Sequence, residues 1–269
     1  MITTWDRANK VPRSAVIWRG PSAFDGAPLI AVVTGMHRNN KNSKIGPGLA
    51  QLFILREDIS PLDAIAFGLD QSICGGCKHR GNGAKKTRKR KPRKARFGKY
   101  RTCYVNVSKC VRSIYACFAR GGYVDMTPDD VLTHLASRGM GIRIGAYGDG
   151  AALPIALLNT LTSVYHTGYT HSWQTRDDLK PYLMASVDTP EEYATAAAAD
   201  WRTFRVRTEH QELAPREIAC PASDESGNRT TCDSCKLCDG ARTDDQRKSI
   251  AIIVHGIGTK TFIRLQAVA

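Results

Sequence analysis

Between Thr230 and Gly240 a polar stretch carries three cysteines, Cys232, Cys235 and Cys238, in the spacing C-x2-C-x2-C. So short and polar a segment offers no apolar core in which thiols would pack. The spacing puts three thiolates on one tight turn. Cys220, separated from Cys232 by eleven residues, completes a tetrahedral set of sulfurs. Bacterial ferredoxin runs use the same close triplet, with a Cys followed by Pro. Here the remote cysteine comes first and is itself followed by Pro221. Four-thiolate zinc is the alternative, but zinc sites more often use two separated C-x2-C knuckles. The pattern therefore favours a [4Fe–4S] cluster over zinc.

A second set lies upstream. Cys74-Gly75-Gly76-Cys77 is a knuckle whose glycines let backbone N–H groups approach the sulfurs, and the third thiolate, Cys103, comes after 25 residues. Three cysteines leave one iron of a four-iron cluster open to a substrate or to S-adenosylmethionine. Cys110 is a candidate fourth ligand. Cys117, seven residues further on the same helical face, reads as core packing. Nine cysteines cannot all pair within one chain, and Met1–Ser14 has no apolar signal segment. Reduced thiols or metal ligands in a cytoplasmic protein are therefore expected.

The net charge of +14 is concentrated. Residues 71–120 hold sixteen Lys and Arg and no Asp or Glu, which leaves the rest of the chain near neutral. Ten of the fifteen residues from Lys85 to Lys99 are basic. Lys85, Lys86, Arg88, Lys89, Arg90, Lys91, Arg93, Lys94 and Arg96 form a candidate clamp for the phosphate backbone of nucleic acid, held by charge and weakened by salt. The competing reading is a solvated, solubilising loop. No base-reading motif accompanies the run. No apolar run reaches the ~18 residues of a membrane span, so no membrane partner is expected.

The pattern divides the chain into three blocks: residues 1–70 with N-terminal strands at Leu29–Thr34 and Ala50–Leu55, residues 71–123 with the first cysteine set, and residues 124–269 with the second. The last block alternates. Thr127 caps a helix opened by Pro128, Asp129 and Asp130. Strands are expected at Ile142–Tyr147, Tyr169–Trp173, Leu183–Val187, Thr203–Val206, Glu217–Ala219 and Ser249–Val254, with helices at Leu153–Tyr165 and Pro190–Asp200. This order predicts one α/β domain: a parallel sheet with helical crossovers, curled into an open or partial β/α barrel, with Cys-rich loops. Sites in such sheets form at the carboxyl ends of strands. That rule makes Asp149, His171 and Asp188 candidate substrate-binding residues, with Ser186, Arg205 and Arg207 at neighbouring ends. It also predicts both cysteine sets on one side of the sheet.

Asn42-Ser43-Lys44-Ile45-Gly46-Pro47, the knuckle Cys74-Gly75-Gly76-Cys77-Lys78-His79-Arg80, and Cys103-Tyr104-Val105 together resemble uncharacterised tailed-phage proteins. Those are related to the group named for mycobacteriophage gene product eighty-eight. The resemblance spans roughly residues 35–125, and beyond them only the βα pattern and the terminal cysteine set match. That family in turn resembles degenerate radical-S-adenosylmethionine proteins, in which an aromatic residue follows the last cluster cysteine, as Tyr104 follows Cys103 here. Radical enzymes place their cysteines as C-x3-C-x2-C, whereas this chain reads C-x2-C-x25-C. The resemblance implies cluster binding in a bacterial host cytoplasm, and Gly148-Asp149-Gly150 is similar to the segment that cradles the amino group of S-adenosylmethionine. It carries no established activity. Three functions compete: an iron–sulfur protein that contacts nucleic acid, a radical-type enzyme built on Cys74, Cys77 and Cys103, and a structural zinc protein.

Overall fold

The computed structural model describes residues 11–38, 42–81, 101–256 and 258–266. The basic run Lys85–Lys99 lies outside the described residues.

Strands β1 (Ser14–Pro21), β2 (Pro28–Thr34) and β3 (Leu49–Arg56) form an antiparallel meander. Every other pairing among the described residues is parallel. Strand β4 (Val124–Asp125) lies beside β1, and β5 (Gly141–Tyr147) and β6 (His166–Thr167) extend the sheet from β3. The order is β4-β1-β2-β3-β5-β6. A second sheet contains β7 (Tyr169–Thr170), β8 (Met184–Val187), β9 (Thr203–Arg207), β10 (Glu217–Ala219) and β11 (Ser249–Ile253), ordered β10-β11-β9-β8-β7. Only Gly168 separates β6 from β7. Its carbonyl accepts from the Met184 N–H at 3.0 Å, so one stretch of chain ends the first sheet and begins the second. The strands thus make an open, parallel-dominated α/β curl that does not close into a barrel. Tyr169–Trp173, expected as one strand, is this joint instead, and pairing stops at Thr170.

The helices start where the caps dictate. Ser60 caps α1 (Pro61–Phe67), which precedes the one-turn α2 (Gln71–Cys74). Next come α3 (Arg112–Ala119) and α4 (Pro128–Ser137), whose Thr127 hydroxyl accepts from the Asp130 N–H at 3.1 Å. Then come α5 (Ile155–Leu161) and α6 (Pro190–Ala198), the latter capped by Thr189. Helix α5 is shorter than the expected Leu153–Tyr165, because Pro154 sets its start and a preceding turn takes Gly150–Ala152. Helices α7 (Cys232–Cys235) and α8 (Thr259–Gln266) complete the set. Strands β2 and β3 are buried on both faces, and Val131, Leu132 and Leu135 of α4 join Leu157, Leu158 and Leu161 of α5 in the same core.

Strand β1 escapes a reading by alternation because a bulge between Val16 and Trp18 shifts its register. A second irregularity matters more. Gln51 pairs with Arg143 and Phe53 with Tyr147, so β5 spends two extra residues. Gly145 absorbs them with φ +73°, and a Cβ there would meet the Gly148 carbonyl at 2.6 Å. Such a bulge re-aims the chain beyond it, here Tyr147 and the Gly148-Asp149 turn.

A cavity lined by seven cysteines

One face of the curl alternates along each strand toward a common space. Arg143, Gly145 and Tyr147 of β5 line it, as do Thr167, Tyr169 and His171 around the joint, Ser186 of β8, Phe204 and Val206 of β9, and Ile250 and Ile252 of β11. This period of two is the pleat. This open cavity measures about 360 Å³. Cys74, Cys77, Cys103, Cys220, Cys232, Cys235 and Cys238 all line it. Cys110 does not, and it is exposed on the turn before α3, so the first set remains at three thiols. Cys117 sits elsewhere, against Gly122 and within hydrogen-bonding reach of Tyr123.

The first set is assembled across the basic insert. The His79 carbonyl accepts from the N–H groups of Thr102 and Cys103 at 3.2 and 3.1 Å, and its Nδ1 lies 2.6 Å from the Thr102 hydroxyl. Buried Asp70 accepts from Arg80 at 2.9 Å, and Arg101 lies 3.5 Å from it. The Arg101 guanidinium also donates to the Arg80 carbonyl at 3.2 Å. Chain leaving at Gly81 and returning at Arg101 is therefore stitched together at its base, and Cys103 stands beside Cys77 despite the 25 residues between them.

The second set is held from three directions. The Cys232 N–H donates to the Lys44 carbonyl at 2.9 Å and the Asp233 N–H to that of Ile45 at 3.0 Å. The Asp233 carboxylate accepts from Gly48 N–H at 2.8 Å. A side chain on Gly46 would run into that carboxylate. Tyr165 donates to the Cys232 carbonyl at 3.1 Å, and the Gly168 N–H to that of Cys238, also at 3.1 Å. Behind Cys238, Arg202 and Arg247 reach Asp239, and Arg202 donates to the Gly240 carbonyl at 3.1 Å. Cys220 comes directly after β10, its N–H on the Ala251 carbonyl at 2.8 Å.

Burial governs the thiols. It pushes Cys77 and Cys238 up to about 12, and raises Cys74, Cys232 and Cys235 as well. Such thiols stay protonated at neutral pH unless a metal displaces the protons. Among the described residues no group of three or more His, Cys, Asp or Glu side chains converges to hold a single metal ion. Four sulfurs on one zinc stand about 3.8 Å apart, given Zn–S bonds of ~2.3 Å. Seven thiols line the cavity, six of them half-buried, and thiol-rich donor sets suit soft metals.

The strand-end carboxylates behave differently from each other. Asp149 is buried and accepts from the N–H groups of Ala151 and His171 at 2.9 and 2.8 Å. Burial raises it to about 6 despite these bonds. His171 is pushed down to about 3, first by burial and then by His79, and its Nε2 has no partner. Asp188 stands behind His79 rather than on the cavity wall, with His79 Nε2 at 2.8 Å and Lys78 Nζ at 2.9 Å. Burial opposes its charge, but these two neighbours outweigh that and hold it below the usual carboxylate range. Arg205 and Arg207 point away from the cavity. Arg205 is buried against Glu217 at 2.6 Å, and Arg207 pairs with Glu225. The pleat explains this, because their neighbours Phe204 and Val206 take the inward positions.

The sequence reading overlooked Arg143, His79 and Phe262, which line the cavity too, while the strand-end Tyr147 it placed beside Asp149 also lines it. A single charge inside the otherwise uncharged strand GIRIGAY was the available signal for Arg143. Nothing local marked Asp70 as the anchor of both ends of the insert. Comparison of the chain with protein-family models, with curated proteins and with solved structures found no match. Among the described residues no helix is long and apolar enough to cross a membrane.

Proposed function

We propose that this chain is an iron–sulfur protein of phage type that carries two [4Fe–4S]-type clusters in one cavity. Cys220, Cys232, Cys235 and Cys238 would ligate one through four thiolates, and Cys74, Cys77 and Cys103 the other through three. The observation that carries this reading is the convergence of seven cysteines, from segments far apart in sequence, on a single cavity from which Cys110 and Cys117 are excluded. Protein purified without oxygen should be brown and hold roughly eight irons and eight sulfides per chain. A colourless protein with stoichiometric zinc would establish the zinc alternative instead.

The described residues that flank the basic insert, Gly81 and Arg101, lie beside Cys77 and Cys103. We assign it a nucleic-acid-binding role on its ten cations in fifteen residues. A second reading, a radical-type enzyme, is favoured by the three-thiol composition of the first set and by Asp149 and His171 at the adjoining strand ends. In that reading the open iron would bind S-adenosylmethionine. Reductive cleavage of that cofactor by reconstituted protein, read as 5′-deoxyadenosine formation, separates the two.

A further inference from the structure

The charge around the two cysteine sets is balanced differently. Beside Cys232 the cavity wall carries Arg143 and Lys44, both near enough to act on that sulfur. Arg143 donates to the Tyr104 hydroxyl at 2.5 Å, and Lys44 Nζ lies 3.4 Å from His255 Nε2. Among the described residues no carboxylate stands within ion-pair distance of either cation. Beside the first set a cation is present too, but Arg101, which acts on Cys74 and Cys103, already has the buried Asp70 carboxylate 3.5 Å away. Asp149 adds an unpaired carboxylate beside Cys77. The base facing it, His171, has Nδ1 at 4.0 Å and is kept neutral by burial. The second carboxylate there, Asp188, is already engaged by Lys78 and His79.

A guanidinium turned into a low-dielectric cavity without a counter-ion is unfavourable unless an anion shares the space. Four thiolates around an iron–sulfur core supply one. Reduction adds one further negative charge, which a nearby cation favours and a nearby carboxylate opposes. We propose that Arg143 and Lys44 raise the reduction potential of the cluster at Cys220–Cys238 while Asp149 lowers that of the cluster at Cys74, Cys77 and Cys103. An electron delivered to the cavity by an external reductant therefore settles on the Cys220–Cys238 side. This rests on the two-cluster reading.

The test is a dithionite titration of the anaerobic full-length holoprotein, monitored by electron paramagnetic resonance, with Cys235→Ala and Cys77→Ala assigning the two signals. Arg143→Gln and Lys44→Met are expected to shift the Cys220–Cys238 potential to more negative values and leave the other unmoved. Arg143→Lys should restore it, a rescue that a purely structural role for the side chain would not give. Asp149→Asn should move the first cluster to more positive values. Lys44 is half-buried on a loop at the cavity wall, so its variant keeps the test independent of folding at β5. Both potentials unchanged in Arg143→Gln and Lys44→Met, at full iron content, would overturn the proposal and leave the two-cluster reading standing. Iron at one set only, or none, would overturn both.

Discussion

His171 and Asp149 respond to acid in opposite senses. The folded state keeps His171 neutral down to about 3, whereas the unfolded chain takes up that proton near 6.5, so stability is lost as pH falls through this interval. Asp149 releases its proton only at about 6 when folded but near 3.8 when unfolded, so its contribution grows as pH falls from 6 to 3.8. The histidine shift is the larger, so the two nearly cancel and the pair together should cost only about 0.7 kcal/mol between pH 6.5 and 4. His171→Leu should remove the loss and leave the Asp149 gain. Denaturant melts at stepped pH check this, and a variant whose stability falls as steeply as the parent's would count against it. Position at a strand end was enough to find both residues in the sequence. It did not reveal their states, because those come from burial beneath His79 and the Ala151 turn, which are distant in sequence or set by the bulge at Gly145. Arg205 misled for a related reason: a strand end says nothing about which face a side chain takes until the register is known.

At the scale of elements, the insert is defined by its base. His79 and Asp70 tie the two ends together, so removal of Lys85–Arg96 should leave Cys103 in place and iron content unchanged. The same deletion should abolish nucleic-acid binding. In the intact protein, neutralising about five phosphates would give a slope of log affinity against log salt near −4. Filter binding at several salt concentrations measures it, and unchanged affinity after deletion would reduce the insert to a solubility device. Most strands and capped helices were legible because Thr127, Thr189 and the apolar runs around Ala31 and Ala251 speak locally. The exceptions share a cause. Strands β6 and β7 are two residues each on either side of Gly168, too short to show a period, and α7 is a single turn whose cysteines were read as ligands rather than as a helix.

For the whole molecule, the second cysteine set is a cross-link between distant parts. Through α7 it grips Lys44 and Ile45 of the N-terminal region, and through Cys238 the joint between the sheets. Cys232→Ala should therefore lower the melting temperature of the holoprotein well beyond Cys117→Ala, which removes one packed thiol at a cost of about 1 kcal/mol. Equal shifts in a thermal melt would show that the set clasps nothing. Convergence of both sets on one side could be expected from parallel strands alone, whereas the shared cavity depended on curvature introduced at Gly168, which no pattern in the chain announces. The position of α8 has a consequence for biogenesis. Its Phe262 packs on His79 at the cavity wall, with ring centroids 6.0 Å apart, and it follows both cysteine sets in the chain. Chains emerge from the ribosome amino end first. The first three thiols thus emerge long before the second set, and the wall that Phe262 completes can close over them only after α8 has emerged.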